Sequence, residues 1–228
     1  MAVFQLDDEL WFPDPRLGEP DGLVAVGGDL SPARLLLAYR HGFFPWFSFH
    51  RKSTPYWYCP LRRFVIFPSE IHISHSMRQL IRQQRYTITL NKHFEGVIQG
   101  CATIDDRQQY DGAWLGPEMI RAYTDLHRLG YTHSVEVWQQ GATEVFADAV
   151  SDNTSLVGGL YGVGIGRAFF GESMFSLMPN TSKLALIFLA QQMVRNGGRV
   201  IDCQFETPHL RSMGGRHIDY EEYLELIR

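Results

Sequence analysis

His133-Ser134-Val135-Glu136-Val137-Trp138 alternates polar and apolar side chains with the two-residue period of a strand, and no helical pattern separates it from the next apolar run, Leu156 to Ala168. Parallel neighbours need a long crossover, commonly a helix, whereas antiparallel ones do not. The stretch therefore argues against a regular βαβ repeat. Working outward, Phe64 to Phe67 and Tyr86 to Leu90 also read as strands. Helical spacing appears in the basic segment after Ser74 and in the run holding Phe94, Val97, Ile98 and Cys101. Further helices follow Pro117, with Ile120, Tyr123 and His127 on one side, and cover 183–194 and 220–227. Leu156 to Phe170 predicts a hairpin or two long strands, and Val200 to Gln204 predicts a further strand. Strands and helices so intermixed predict an α+β fold with a mixed or largely antiparallel sheet.

The first sixty residues have a different texture, rich in Pro, Gly and aromatics. Their clear helix has Ser31 as N-cap, Pro32 in the first turn and Gly42 at its end. Phe43-Phe44-Pro45-Trp46-Phe47 follows, four aromatics in five residues. Such a cluster serves either as core or as a platform on which a nucleic-acid base stacks.

At 228 residues, with 45% hydrophobic and 20% charged residues, the chain has the composition of a globular protein with a sizeable core. No apolar run approaches a membrane span, and Met1 to Glu9 is acidic where a secretory leader would be basic; a cytoplasmic protein is expected. Cys59, Cys101 and Cys203 are odd in number and far apart, which supports neither a disulfide framework nor a zinc site. No metal and no cofactor are expected. A monomer is the expectation, since no heptad is evident.

The net charge of −4 conceals a local excess of base: residues 60–92 carry six basic residues and one acid, leaving −9 for the rest. Arg78, Arg82 and Arg85 fall at i, i+4 and i+7, predicting one basic face of a helix. That face reads either as a solvated surface or as a footprint for a phosphate backbone.

The chemistry concentrates late in the chain. In Val200-Ile201-Asp202-Cys203-Gln204 an acid and an amide share one face of an apolar strand, and a buried carboxylate must be paired, neutralised or used. Gly171-Glu172-Ser173-Met174-Phe175-Ser176 places Glu172 and Met174 on one face of an extended segment. The glycines of 158–166 match neither a dinucleotide nor a Walker pattern, and predict instead a hairpin with a close backbone approach. No serine or cysteine nucleophile stands in a recognisable triad context. The residues suit a reaction between two bound substrates in which positioning supplies most of the rate.

Six motifs in one order resemble the bacterial leucyl/phenylalanyl-tRNA–protein transferase family. They are Gly22 to Pro32, Phe44-Pro45-Trp46-Phe47, His133 to Glu136, Leu156 to Gly162, Gly171 to Ser176 and Ile201 to Gln204. The resemblance implies transfer of Leu or Phe from its tRNA to the N-terminal amine of proteins beginning with Arg or Lys, creating an N-degron. It implies a small N-terminal domain, 1–62, and an N-acetyltransferase-like (GNAT) domain, 63–228. By the same resemblance Asp202, Gln204 and Glu172 are catalytic, Glu172 matching an acceptor-side acid that attracts either the basic first residue of the acceptor protein or the free amine of the donor. Trp46 and Trp114 hold the terminal adenosine, Leu160, Phe169 and Met174 form the side-chain pocket, and Arg78 and Arg82, with Arg85 beside them, grip the acceptor stem. We expect Asp202 and Gln204 to orient the amine, Asp202 taking a proton late or through water. The rival readings are an acyl-CoA-dependent N-acyltransferase and a non-catalytic module that binds tRNA or a degron.

Overall fold

The structure, a computed structural model, describes residues 2–47, 54–103, 115–140 and 154–228. Their strands fall into two sheets. β1 (Phe4–Leu6), β2 (Leu23–Gly27), β3 (Phe44–Phe47) and β4 (Pro55–Tyr58) form a four-stranded sheet in the order β1-β2-β4-β3. The seven-stranded sheet has the order β11-β5-β10-β9-β8-β7-β6. Its strands are β5 (Arg62–Ile66), β6 (Tyr86–Leu90), β7 (Thr132–Gln140), β8 (Thr154–Ile165), β9 (Ala168–Ser176), β10 (Val200–Asp202) and β11 (Arg216–Asp219). Seven α-helices accompany them among the described residues: α1 (Pro32–Arg40), α2 (His75–Arg82), α3 (Phe94–Thr103), α4 (Pro117–Arg128), α5 (Thr181–Arg195), α6 (Pro208–Ser212) and α7 (Tyr220–Ile227). This is the mixed, largely antiparallel architecture expected from the sequence.

Local chemistry accounts for the element boundaries. Ser31 accepts a hydrogen bond from the Arg34 N–H at 3.3 Å and starts α1, and Gly42 beyond its end takes a φ of 82°. Pro45 has no N–H to give, and β3 lies at the edge of its sheet, where that lack is tolerated. β7 and β8 form the predicted antiparallel pair, and β8 returns as β9 through a turn at Gly166, φ 59°. At Gly162 the β8/β9 register shifts, and a Cβ there would collide with the Phe170 carbonyl oxygen, so the close backbone approach is a strand-to-strand one.

Both faces of the large sheet are covered. Phe94, Val97 and Ile98 of α3 and Met119, Tyr123 and Leu126 of α4 pack with Leu156, Tyr161, Phe170 and Phe175, and the same cluster continues into Leu35, Tyr39 and Phe43. Leu184 to Ala190 of α5 pack with Val135, Val137, Leu160, Phe169 and Ile201. Burial on both sides explains why β8 reads as a continuous apolar and glycine run rather than an alternating one.

Two predicted elements differ. β10 stops at Asp202, two residues short of the expected strand, because the chain turns there, so Asp202 and Gln204 are not alternate residues on one strand face. α2 ends at Arg82, since Gln84 adopts a left-handed φ of 50°; Arg85 therefore lies beyond the helix, off the predicted face shared with Arg78 and Arg82.

Candidate active site

β9 and β10 are parallel, the one such pair among the described strands of the large sheet, and α5 crosses between them. Asp202 pairs with Phe170; beyond that point β9 stays hydrogen-bonded to β8 as far as Ser176, while the chain after β10 turns away. The parting opens a cavity of about 630 Å³ at the carboxyl ends of the two strands. Trp46, Leu160, Phe169, Glu172, Met174, Asp202 and Gln204, predicted from distant parts of the sequence, all border it. Trp114 lies outside the described residues, as does 141–153 of the long connection between β7 and β8.

A hydrogen bond within the turn sets its shape. Asp202 Oδ1 accepts the Gln204 N–H at 2.8 Å, and Gln204 takes a φ of 55°. The bond stabilises a conformation that a non-glycine residue rarely adopts. Asp202 Oδ2 accepts the Tyr223 hydroxyl at 2.6 Å and lies 3.3 Å from Arg63 Nε. Arg63 and Asp202 are each 1% exposed, so both carboxylate oxygens are engaged inside the protein. Burial works most strongly against the Arg63 charge, but Asp202, Tyr223 and Cys59 together overcome it and raise the guanidinium above its ordinary range.

Glu172 has a different setting. Its two oxygens accept the hydroxyls of Tyr39 and Tyr123, each at 2.7 Å, and those hydroxyls are 2.7 Å from one another. Gln204 Nε2 reaches the same carboxylate at 3.5 Å. Burial pushes the carboxyl up to about 7, the tyrosine hydrogen bonds hold it down, and Asp202 nearby adds to the rise. Thus the cavity contains one acid poised near neutrality and one locked into an ion pair.

Much of the remaining wall is planar or apolar, with Ser173, Ser176, Ser182, Thr207 and His209 among its polar members. Trp46 packs beside Phe205 with ring centroids 5.4 Å apart and beside Tyr58 at 5.9 Å; Phe44 lies 5.6 Å from Phe205. Around Leu160, Phe169 and Met174, Leu186, Leu189 and Ile201 complete an apolar lobe. One cavity thus offers flat rings, an amide beside a carboxylate, and a greasy recess.

Arg78, Arg82 and Arg85 lie apart from the cavity; all three are exposed, and no ion pair engages them among the described residues. Arg63, counted with them in the basic segment, is spent internally on Asp202. Glu136, from one of the six motifs, is fully buried and accepts Thr89 and Ser134 hydroxyls, each at 2.5 Å, and the Lys92 and His93 N–H groups. It anchors the entry to α3 from the sheet. Cys59, Cys101 and Cys203 are free thiols; Cys203 borders the cavity, and burial raises its pKa, leaving it a poor nucleophile. Among the described residues no cluster of His, Cys, Asp or Glu could hold a metal, and no helix is long and apolar enough to cross a membrane.

Sequence reading missed Tyr39, Tyr123, Tyr223, Arg63 and Phe205. A tyrosine on a buried helix face needs a partner for its hydroxyl, and that is the signal by which the first three could have been found.

Flat, apolar and hydrogen-bonding walls thus meet around one cavity that collects residues from both sheets. Comparison with known proteins is specific. A sequence model described as leucyl/phenylalanyl-tRNA protein transferase matches residues 65–228, and one for the N-terminal domain of that protein matches 28–61. The chain is 47% identical over 227 residues to the leucyl/phenylalanyl-tRNA–protein transferase of Syntrophobacter fumaroxidans, covering 100% of this chain and 90% of that protein. The enzymes so named from Anaeromyxobacter sp. and Syntrophus aciditrophicus are also 47% identical, with 98% and 100% of this chain and 88% and 89% of theirs covered. The chain belongs to the leucyl/phenylalanyl-tRNA–protein transferase family.

Proposed function

We propose that this protein transfers Leu or Phe from aminoacyl-tRNA to the N-terminal α-amine of proteins beginning with Arg or Lys, creating an N-degron, and that it works as a cytoplasmic monomer. The single cavity that joins an aromatic wall, the Glu172–Gln204 pair and an apolar lobe carries this reading. Trp46, with Trp114 expected opposite, takes the terminal adenine; Leu160, Phe169 and Met174 take the Leu or Phe side chain; Arg78 and Arg82 face the acceptor stem, with Arg85 following beyond the end of their helix. The lobe admits side chains with an unbranched β-carbon, while Ile and Val crowd its entrance.

In the reaction the acceptor amine attacks the ester carbonyl carbon. A C–N bond forms, the C–O bond to the ribose breaks, and the ribose oxygen leaves with a proton. An α-amine has a pKa of about 7.7–8.0, so a useful fraction is already neutral at pH 7 and orientation matters more than deprotonation. Gln204 orients the amine. Glu172, near neutrality, attracts the ammonium and accepts the proton released as the bond forms. Asp202, whose oxygens hold the Gln204 N–H, Tyr223 and Arg63, keeps the amide in place.

We read 1–62 and 63–228 as two domains, supported by the division of strands β1–β4 and β5–β11 between the two sheets, and the second as GNAT-like, supported by the parting of the parallel strands β9 and β10 at the cavity. An acyl-CoA-dependent reading gains no support from the start of α5. There the Ser182 N–H is taken by Ser176 Oγ at 2.9 Å and the Thr181 and Leu184 N–H groups by Met178 and Asn180 carbonyls, leaving those amides engaged rather than free for a pyrophosphate. A purely binding module would leave the Glu172, Tyr39 and Tyr123 cluster without a purpose. The test is incubation with tRNA charged with labelled Leu and a peptide starting with Arg. Label should move to the peptide regardless of acetyl-CoA; a peptide that stays unlabelled overturns the reading.

A further inference from the structure

Arg63 does not line the cavity, yet it meets two segments that do or that lead to it, and a third, α7, that braces them. Its guanidinium carbon lies 4.6 Å from the centre of the Tyr223 ring and 5.0 Å from that of Phe44. Nη2 donates to the Gly42 carbonyl and to the Tyr223 hydroxyl, the latter at 3.2 Å, while Nε faces Asp202. Gly42 leads directly into β3, which bears Trp46; Asp202 ends β10 and holds the turn of Gln204; Tyr223 projects from α7. Tyr223 closes the circuit through its bond to Asp202. The approach is tight at Gly42, where a Cβ would come 2.8 Å from the Tyr223 ring in a backbone of φ 82°.

An apolar side chain of similar volume would spare the desolvation of two charges, so stability alone is a weak reason to find an ion pair here. Among the described residues Arg63 is also the one side chain that bonds to the entry of β3 while facing the end of β10. We infer that Arg63 is a positioning residue for the transfer: acting through Gly42 and Asp202, it fixes the spacing between the Trp46 wall and the Gln204 amide. This rests on the reading of the cavity given under the proposed function. Arg63 touches neither substrate. Its fork matters as well as its charge, since a lysine presents one ammonium rather than a planar array of donors.

The test is a double-mutant cycle of Arg63→Met and Asp202→Asn, with Arg63→Lys alongside, measuring kcat and KM with charged Leu-tRNA together with thermal unfolding. Arg63→Met should lower kcat by about 100-fold, the scale of a misplacement near 1 Å, with KM for the tRNA within about threefold. Arg63→Lys should recover only part of that loss. In the Asp202→Asn background, removing Arg63 should cost less than about threefold more, because the residue acts through Asp202. Additive losses, or a kcat per folded molecule that stays at the wild-type value in Arg63→Met, overturn the inference. A fully active Asp202→Asn protein overturns the assignment of Asp202 and this inference with it, whereas additive losses leave that assignment standing. Should Arg63→Met fail to fold, Tyr223→Phe, which removes one hydroxyl, takes its place in the cycle. It should lower kcat several-fold in the wild-type background and hardly at all in the Asp202→Asn one; equal losses in both overturn the inference.

Discussion

Replacing Glu172 by Gln should make the protein more stable at neutral and alkaline pH relative to the wild type, and the gain should appear as the pH rises from about 4.5 to 7. The folded carboxyl is raised from 4.5 to about 7, chiefly by burial. Below the lower value the proton is on in both the folded and the unfolded chain, and the stabilising contribution of the protonated form is fully present. As the pH climbs, the unfolded carboxyl ionises first, and the contribution is lost by the time the folded group ionises near 7. At about 1.4 kcal/mol for each pH unit between the two values, the loss is about 3 kcal/mol. Glutamine does not titrate. It also leaves one of the Tyr39 and Tyr123 hydroxyls with a poorer partner, a cost that does not vary with pH, so the diagnostic is the change in the difference rather than its absolute size. Urea unfolding of both proteins at pH 5, 6, 7 and 8 measures it, and a relative midpoint shift of roughly 1 M across the range is expected for typical m-values. Parallel stability profiles of wild type and variant would refute the burial argument for Glu172. The same variant should flatten the part of the kcat profile near pH 7 that belongs to the enzyme, leaving the limb set by the acceptor amine.

Three other outcomes are expected. Asp202→Asn should lower kcat by about 100-fold while leaving the Kd for aminoacyl-tRNA nearly unchanged, and because Arg63 is left as an unpaired buried cation it should also lose about 3–5 kcal/mol of stability; wild-type kcat would contradict this. Trp46→Ala should weaken aminoacyl-tRNA binding by about 1–3 kcal/mol, read by fluorescence titration, and an unchanged Kd would show that no base stacks there. Changing Arg78 and Arg82 together to Ala should reduce the slope of log K against log salt for tRNA by roughly 1.5, one phosphate for each side chain; an unchanged slope would place the acceptor stem elsewhere.

Much of the fold was legible because it depends on local patterns. Ser31 and Pro32 start α1 where the capping rule places it, and the alternation from His133 to Trp138 marks β7. Failures came where a side chain overrode the period. Asp202 draws the Gln204 N–H to itself and ends β10, an event that alternation of apolar and polar residues does not encode, although an acid two residues before its donor is a known turn device. Arg85 fell off the helical face for a backbone reason, the left-handed conformation of Gln84. The site was legible in its motifs but not in its wiring. Tyr39 stands 133 residues from Glu172 and Tyr223 stands 21 from Asp202, and each belongs to a helix whose pattern accounts for it as core. Arg63 looked like one more cation for a phosphate until the ion pair consumed it.

The contrast between the two acids bears on how such a site works. Asp202 carries a fixed partner set, with both of its oxygens engaged inside the protein. Glu172 is held by two neutral hydroxyls, which favour its anion without supplying a counter-charge, and burial wins over them. A carboxyl left at 4.5 would be more than three units too acidic to receive a proton from an amine of pKa about 7.7–8.0, whereas one at about 7 lies within about a unit of it. Raising it further would leave it mostly protonated at pH 7 and unable to attract an ammonium. The tyrosine pair therefore sets an upper bound on the shift that burial alone would exceed. If that is its purpose, Tyr39→Phe and Tyr123→Phe should each move the enzyme's limb of the kcat profile to higher pH, and the double variant further than either.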